Sequence, residues 1–262
     1  MFIAVLSGIL LSESKVFQPD KLLLSFATAY GLCGSSMAFN DLFDKEVDKI
    51  NAPWRPLPSG AISDLDAILT ASILALIGIA AAAATSIPCL LVAATSFIAA
   101  FAYNARLKKT GFLGNMIVSV VVVAPFIYGA VLSDGYISPR LITFILPVYL
   151  SNLGREVIKG ISDVEGDAVR GVRSVARIMG EDFAAKLGAA LYVAAVSLSP
   201  LPYLLELVGW IYLPIVLIAD VGFIYCSLSI IRSPTRENSL RVKKQTLLWM
   251  LIALIAFISG AL

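Results

Sequence analysis

The sequence predicts an all-α protein that crosses a membrane several times. Of its 262 residues, 59% are hydrophobic and 15% are charged, whereas soluble domains are about 45–50% apolar and about 25% charged. The mean hydropathy is +0.89. The apolar residues fall into runs of about the length that a helix needs to span a bilayer. We expect one transmembrane domain over residues 1–262, a bundle of about nine helices.

Helix-breaking residues mark several ends of the apolar runs, namely Pro19, Pro88, Gly111, Pro139 and Pro234. The first run is shorter than the roughly 20 residues that span a bilayer, so we expect an incomplete first helix. It lacks the basic start and the cleavage site of a signal peptide. The predicted segments are 1–11, 19–43, 64–85, 87–105, 113–133, 139–160, 182–204, 208–231 and 241–262.

The distribution of Lys and Arg predicts the orientation. Of the 20 Lys and Arg residues, all but Lys15, Lys21 and Arg140 lie in or beside the loops after segments two, four, six and eight. The positive-inside rule places those loops in the cytoplasm. We therefore expect a multi-pass protein of the cell membrane with its active site facing the cytoplasm. A net charge of +2 gives no reason to expect nucleic acid, and no obligatory protein partner is indicated.

The chain contains no histidine. The usual general base and the commonest metal ligand are therefore absent, so oxygen ligands must hold any metal, which favours Mg²⁺, Mn²⁺ or Ca²⁺. Cys33, Cys89 and Cys226 lie in apolar segments and share no motif spacing. We interpret them as small core residues rather than disulfides or zinc ligands.

An acidic motif follows the second segment, which we expect to continue into it as a helix. Asn40, Asp44 and Asp48 are spaced i, i+4, i+8 and stack along one helix face. Asp41 and Glu46 point away from that face. Like charges at i, i+4 destabilise a helix, and a bridging cation would reverse that effect. The alternative interpretation is a solvated, charged loop end.

A second acidic motif follows segment six. Asp163 and Asp167 repeat the i, i+4 pair, and Glu156 and Lys159 precede them on nearly the same face. An even number of crossings separates the two motifs, so both lie on the same side of the membrane. Each could hold a Mg²⁺ ion with carboxylates, waters and a phosphate ligand. Two such sites facing each other would clamp a diphosphate, so we expect two Mg²⁺ ions.

Basic side chains in the same layer indicate a phosphate ligand. The positive-inside bias alone accounts for Lys109, Lys186, Arg236, Lys243 and Lys244. Arg155 and Lys159 differ from these residues because they lie inside the end of a membrane helix. Charge is costly there, which indicates a functional role. Tyr103 and Asn104, with Lys108, close the fourth helix at the same level. The candidates for phosphate contacts are Arg55, Arg106, Lys108, Arg155, Lys159, Arg170 and Arg173.

These motifs resemble the UbiA superfamily of intramembrane prenyltransferases. The signature N-x-x-x-D-x-x-x-D stands at 40–48, its R-P-x-P-S-G tail at 55–60, and D-x-x-x-D at 163–167. The tyrosine–lysine motif at 103–108 and a GFLGN run ending at Asn115 also fit. The resemblance implies a nine-helix bundle around a central cavity that opens sideways to lipid. It also implies that Asn40, Asp44 and Asp48 hold one Mg²⁺ and that Asp163 and Asp167 hold the other. It implies diphosphate contacts from Arg55, Arg106 and Lys108, further substrate contact from Asn115, and a position for Tyr103 near the reacting carbons.

Residues 155–167 are most similar to the archaeal branch of that superfamily, with Gly160 where Asp is usual. That branch transfers a geranylgeranyl group from geranylgeranyl diphosphate to geranylgeranylglyceryl phosphate in ether-lipid synthesis. The resemblance implies an isoprenyl diphosphate donor, a lipid-phosphate acceptor and contact with membrane lipid. Arg155, Lys159, Arg170 and Arg173 could supply the cationic groups that a phosphorylated acceptor needs.

Three other functions fit parts of the pattern. The first is transfer to an aromatic or quinone precursor such as 4-hydroxybenzoate. The second is a cation-coupled transporter, which would place its carboxylates near the bilayer midplane at broken helices. The third is a CDP-alcohol phosphotransferase, whose D-x-x-D-G-x-x-A-R signature the sequence lacks.

Overall fold

The computed structural model describes residues 1–14 and 18–262, so Lys15 lies outside the described residues. These residues form helices and no strand, which confirms the predicted all-α class. A short 3₁₀ helix covers Leu107–Thr110. The α-helices are α1 (Phe2–Leu11), α2 (Pro19–Asn51), α3 (Asp64–Thr85), α4 (Ile87–Ala105), α5 (Phe112–Asp134), α6 (Pro139–Ser162), α7 (Val164–Arg170), α8 (Val175–Met179), α9 (Glu181–Leu198), α10 (Leu201–Leu204), α11 (Tyr212–Arg232) and α12 (Arg236–Ala261).

Eight stretches of the described chain are long and apolar enough to cross a membrane: α2 to α6, α9 with α10, α11 and α12. The remaining predicted segment corresponds to α1, which has 10 residues. Large apolar side chains such as Leu23, Leu76 and Val221 are each at least 70% exposed on the outside of the bundle. Lipid tails would cover such a surface, in agreement with the predicted multi-pass architecture.

Most helix starts follow the local chemistry that the sequence indicates. Pro19, Pro88 and Pro139 each occupy one of the first two helical positions, where the missing N–H costs nothing. The Ser86 and Ser138 side chains accept hydrogen bonds from the backbone N–H groups of Cys89 and Leu141. These caps satisfy donors that the helix leaves free.

The predicted segment 182–204 corresponds to one stretch of spanning length, Glu181–Leu204, with a short break between α9 and α10. Two other predicted boundaries in the second half are wrong. The segment predicted from 208 starts only at Tyr212, because Pro214 is tolerated in a first turn but not deeper in a helix. The last helix starts at Arg236, five residues early, with Thr235 as its cap. The first turns of this helix are polar, and a boundary predicted from the apolar run alone therefore falls after them.

The bundle packs as two halves. In the first half, α2 packs on α3, and α1 and α4 pack on α5; in the second, α9 packs on α6 and α11, and α11 packs on α12. Helix α6 joins the halves through α5. Aromatic rings fill the second half and the junction, with ring centroids 4.9 Å apart between Phe126 and Phe144 and between Phe144 and Phe257. Cys89 and Cys226 are buried and Cys33 is half-buried, all as free thiols.

Candidate active site

The first acidic motif lies in the last turns of α2, which continues without a break to Asn51. We call this end of the bundle, where α2 and α6 end, the acidic end. The Asp44 carboxylate pairs with the Lys108 ammonium of the 3₁₀ helix. The Asp48 carboxylate accepts a 2.7 Å hydrogen bond from Arg55 Nη1. Both carboxylates are mostly buried, with 19% and 13% of their side chains exposed. Protein cations therefore already neutralise this motif.

The proline-rich turn after α2 places Arg55 against the carboxylates of the motif. Arg55 Nη1 also lies 3.2 Å from Asp41 Oδ1. The hydrogen bond to Asp48 raises the pKa of the Arg55 guanidinium above its ordinary value, and the charges of Asp48 and Asp41 act in the same direction. Sequence reasoning missed Asp41, because helical spacing alone places it off the Asn40 face.

The second acidic motif lies across a helix junction rather than on one helix. Helix α6 ends at Ser162, Asp163 precedes α7, and Asp167 lies within α7. The i, i+4 relation is kept, because the Asp167 N–H donates to Asp163 O at 2.7 Å. The Ser162 hydroxyl donates to Asp163 Oδ1 at 2.9 Å. Within the described parts of the chain, neither Asp163 nor Asp167 forms an ion pair.

Burial raises the pKa of the Asp167 carboxyl above its ordinary value, and the neighbouring Asp163 charge adds to this effect. A hydrogen bond with Ser174 acts most strongly in the opposite direction, followed by the charges of Arg170 and Lys159, but together they do not offset the burial. The second motif is thus a pair of close carboxylates whose mutual repulsion the surrounding protein relieves only in part.

The nearby cations pair with Glu156 instead of with the motif. Its carboxylate, on a side chain that is 11% exposed, accepts from Arg155 Nη1 at 2.9 Å and from Lys159 Nζ at 3.1 Å. Arg155 Nε also donates to the backbone carbonyl of Lys243 on α12 at 3.3 Å. Lys159 lies on the other side, within electrostatic range of Tyr103 and Asp163.

Tyr103 lies within electrostatic range of both motifs. Its phenol interacts electrostatically with Asp44 of the first motif and with Asp167, Glu156 and Lys159 around the second. Asn104, next to it on α4, is buried and donates to the Ser36 backbone carbonyl on α2 at 3.3 Å. This contact fixes the end of α4 against α2. The structure therefore brings the two acidic motifs together around one tyrosine.

A backbone contact between two loops joins the halves at the acidic end. The Arg173 N–H donates to Lys109 O at 3.0 Å. Gly111 adopts a φ of +70°, and a Cβ there would lie 1.9 Å from Arg173 O. Only glycine allows both the positive φ and this close approach. We call this contact the Gly111–Arg173 latch; it holds the turn that carries Lys108 against the loop that follows Asp167.

The remaining predicted residues are less engaged. Arg106, Arg170 and Arg173 are exposed, and their side chains form no ion pair among the residues that the structure describes. Arg170 nevertheless acts electrostatically on Asp167. Asn115 lies in the first turn of α5, where its backbone carbonyl accepts from Ser119 Oγ. The structure thus gathers Arg55, Lys108 and Lys159 around the carboxylates, directs Arg155 toward α12, and leaves the other cations at the rim.

A cavity of about 400 Å³ opens beside the first motif and extends into the apolar part of the bundle. Its polar end is formed by Asn40, Asp41 and Arg55. From there its lining runs along α2 past Thr28, whose hydroxyl lies 3.4 Å from that of Tyr128 on α5, to Ser25. Helices α1, α2, α4 and α5 supply its walls. The cavity therefore joins a charged site to a long apolar compartment.

The acidic residues suit a hard divalent cation. In the described part of the chain, no group of three or more His, Cys, Asp or Glu side chains is close enough to form a complete metal site. Magnesium needs fewer protein ligands, since one or two carboxylates together with waters and substrate phosphates usually hold it. Asp163 and Asp167, close together without ion pairs, fit that donor set, and Asp44 and Asp48 offer a second pair.

The profile of the UbiA prenyltransferase family matches residues 1–259. The digeranylgeranylglyceryl phosphate synthase of Archaeoglobus fulgidus is 38% identical over 98% of this chain and 89% of the relative. That of Methanocaldococcus jannaschii is 34% identical over 97% and 89%.

Solved structures of two relatives share the fold of this chain. One, of a digeranylgeranylglyceryl phosphate synthase in membranes, is 34% identical and superimposes with a TM-score of 0.87 over 99% of this chain and 92% of its own. A UbiA homolog from Archaeoglobus fulgidus bound to GPP and Mg²⁺ is 17% identical, with a TM-score of 0.73 over 98% and 94%.

Proposed function

This chain belongs to the UbiA prenyltransferase family, and we propose that it transfers a geranylgeranyl group from geranylgeranyl diphosphate to geranylgeranylglyceryl phosphate. In this reaction the C1–O bond of the donor breaks and diphosphate leaves with the electron pair. The acceptor hydroxyl oxygen forms the new C–O bond and loses its proton. The product is digeranylgeranylglyceryl phosphate.

One observation carries the proposal: Tyr103 lies within electrostatic range of Asp44 of the first motif and Asp167 of the second, and a long apolar cavity opens beside the first motif at Asn40, Asp41 and Arg55. A prenyl diphosphate has this form, with a charged head and a long apolar tail. The near full-length similarity to archaeal digeranylgeranylglyceryl phosphate synthases, at 31–38% identity over several relatives, supports the choice of substrates.

The cations of the first motif would receive the diphosphate. Arg55 and Lys108 now pair with Asp48 and Asp44, so they are positioned and charged before a ligand binds. A diphosphate offers more acceptor oxygens than a carboxylate, and Arg binds phosphate in a bidentate manner. We propose that both side chains contact the leaving diphosphate, with Arg106, Arg170 and Arg173 at the rim as further contacts.

The four motif carboxylates and Asn40 would hold magnesium, with Asn40, Asp44 and Asp48 on one side and Asp163 and Asp167 on the other. When bound, Mg²⁺ supplies positive charge that offsets the charge developing on the diphosphate as the bond breaks. The buried position of Asp167 fits such a role, because a carboxyl with a raised pKa gains most from a nearby cation.

The acceptor phosphate would bind on the α6 side. Lys159 lies within electrostatic range of Tyr103 and Asp163, and its ammonium donates to Glu156. Tyr103 would lie beside the reacting carbons. The excess of Lys and Arg at the acidic end supports a site that faces the cytoplasm of a cell membrane.

The test is a transfer assay with purified protein, Mg²⁺ and geranylgeranyl diphosphate, offering geranylgeranylglyceryl phosphate and 4-hydroxybenzoate in parallel. We expect product from the first acceptor only, loss of turnover with EDTA, and recovery with excess Mg²⁺. Preferential prenylation of 4-hydroxybenzoate would overturn the assignment of the acceptor. Transfer that is indifferent to EDTA would overturn the role of the carboxylates.

A further inference from the structure

A polar cleft lies between the last turns of α11 and the first turns of α12, and we call it the α11–α12 cleft. Its volume is about 420 Å³, within the range of about 300–1,000 Å³ that small-molecule sites occupy. Arg236, at the start of α12, donates from Nε to the Ser162 carbonyl at the end of α6 at 3.4 Å, so the cleft lies at the acidic end. None of its described lining residues belongs to the proposed prenyl-transfer site.

One asparagine joins the two helices around the cleft. Asn238 Nδ2 donates to the backbone carbonyls of Ser229 and Ser233, at 2.9 and 2.8 Å. Asn238 Oδ1 accepts from Ser229 Oγ at 3.1 Å. These bonds satisfy carbonyls that the end of α11 leaves without a helical partner. The cleft therefore keeps its shape without a ligand.

Two arginines supply the positive charge of the cleft. Arg232, the last residue of α11, is exposed and forms no ion pair within residues 1–14 and 18–262. Arg241 Nη2 lies 3.8 Å from Glu237 Oε1, and because both side chains are exposed this pair contributes little. A phosphate group can accept two parallel hydrogen bonds from one guanidinium, so it would be a better partner for either arginine.

The cleft continues onto an apolar surface along the helices. Tyr225, Leu228 and Arg232 all line it, and their spacing of i, i+3, i+7 places them on one face of α11. On α12, Leu248 lies two turns after Arg241, and all of these apolar side chains are exposed. Both helices are long and apolar enough to cross a membrane. An arginine near the end of such a helix reaches the headgroup layer, whereas the residues further along contact lipid tails.

We propose that the α11–α12 cleft binds an anionic membrane lipid, with its phosphate between Arg232 and Arg241 and one tail along Leu228 and Tyr225. Basic pockets between transmembrane helices bind lipid head groups in this way. A zwitterionic lipid brings its own cation toward the two arginines and binds less tightly. The general excess of basic residues at one side of a membrane protein accounts for exposed arginines, but not for two that line one preformed cleft above an apolar stripe.

The experiment titrates the full chain, delipidated in a neutral detergent, with dioleoyl phosphatidylglycerol, dioleoyl phosphatidylcholine or inorganic phosphate, and measures binding by native mass spectrometry. We expect one phosphatidylglycerol to bind more tightly than phosphatidylcholine and to raise the melting temperature, since it binds the folded state. Arg232→Gln and Arg241→Gln should each weaken that binding by about tenfold or more, the loss expected for one charge-assisted hydrogen bond. Lys186→Gln removes the same charge from the exposed face of α9 and should bind phosphatidylglycerol as the wild type does.

Three outcomes would overturn the proposal. The first is equal affinity for the two lipids or equal binding by Arg232→Gln and Lys186→Gln. The second is competition by inorganic phosphate at the concentration at which the lipid binds, which would show a site for free phosphate. The third is a loss of turnover in Arg232→Gln, in lipid-free detergent, that matches its loss of lipid binding, which would place Arg232 in the transfer site. Phosphatidylglycerol binding that depends on both arginines would support the proposal even if the protein prenylated no acceptor, so the two proposals fail separately.

Discussion

The two acidic motifs share a spacing but differ in how their charge is compensated. In the first motif, Asp44 pairs with Lys108, and Asp48 pairs with Arg55. In the second, Asp163 and Asp167 form no ion pair in the described ranges 1–14 and 18–262, although Lys159 is close. The first motif therefore holds its shape without a ligand. The second has no protein cation at ion-pair distance among the described residues, so a bound cation would meet no competing ion pair there.

The halves also differ in the space that they enclose. The first half contains the largely apolar cavity of about 400 Å³. In the second half a polar cleft of about 420 Å³ lies between the end of α11 and the start of α12, but the apolar pocket among α6, α9, α11 and α12 has only about 40 Å³. Phe144 and Phe257 line this smaller pocket. The comparison indicates a division of labour, in which the first half holds an apolar chain and the second contributes charge and rigidity.

The largest expected effect comes from removing one carboxylate from each acidic motif. Asp44→Ala and Asp163→Ala should each lower kcat by about a thousandfold, because both would remove charge compensation at the leaving group. Stability should separate them. Asp44→Ala leaves Lys108 unpaired and mostly buried, at a cost of about 1–3 kcal/mol, whereas Asp163→Ala removes a repulsion and should cost less than about 1 kcal/mol.

Thermal unfolding in detergent and single-turnover transfer measure the two quantities on the same preparations. Asp48→Ala and Asp167→Ala extend the comparison within each motif. Near-normal turnover in any two of the four variants would refute the role of the motifs as a clamp. Equal losses of stability at Asp44 and Asp163 would refute the difference in charge compensation.

The second prediction concerns a substitution that disrupts the Gly111–Arg173 latch between the two halves. Gly111→Ala places a Cβ 1.9 Å from Arg173 O at a φ of +70°, so we expect a loss of more than about 3 kcal/mol and of most turnover. Gly135→Ala is the matched control at the other end of α5, since its φ is +78° and no atom lies within 4 Å of its Cβ. That variant should lose only about 1–2 kcal/mol, the cost of the backbone conformation.

Melting temperatures of the two variants, measured side by side, test the Gly111–Arg173 latch. If Gly111→Ala were as stable and active as Gly135→Ala, the two loops would not need their close contact. Restoration of turnover by high Mg²⁺ in Gly111→Ala would show that the latch acts by keeping the two carboxylate pairs within reach of one diphosphate.

Sequence reasoning predicted the helices and the motifs because those signals are local. Apolar run length predicted the spans, and the i, i+4 spacing predicted the acidic faces. Contacts between distant elements escaped it. Nothing near Gly111 in the sequence indicates Arg173, and a tyrosine such as Tyr128 resembles any other aromatic residue in an apolar run. Asp220, a carboxyl within α11 that accepts from Ser199 Oγ at 2.6 Å, was overlooked for the same reason.

The third prediction distinguishes the roles of the two cations beside the second motif, Lys159 and Arg155. Lys159→Ala should raise KM for geranylgeranylglyceryl phosphate by about tenfold, since a charge-assisted hydrogen bond is worth about 1.5–3 kcal/mol, and should change KM for the donor less. Arg155→Ala should act more on stability, because its guanidinium bridges Glu156 and the Lys243 carbonyl of α12.

The measurement is a full KM and kcat determination for both substrates, with melting temperatures, for the two variants and for Lys186→Ala. Lys186 is an exposed cation on α9 and controls for a general loss of positive charge. Equal effects of Lys159→Ala on both substrates would assign this lysine to the donor. An Arg155→Ala variant with wild-type stability would contradict its structural role.

The smallest effect concerns the two acidic residues of the first motif that lie off the Asn40 face. Asp41 faces the cavity and lies 3.2 Å from Arg55 Nη1, whereas Glu46 pairs only with Lys49 and is 78% exposed. Asp41→Asn should release Arg55 from one of its two carboxylates and change KM for the donor about threefold. Glu46→Gln should leave KM for the donor unchanged within experimental error, because exposed ion pairs are worth at most about 1 kcal/mol. Donor titrations of both variants at low and high salt check this. An equal response of the two would mean that Arg55 is held by Asp48 alone, and that facing the cavity gives Asp41 no part in binding.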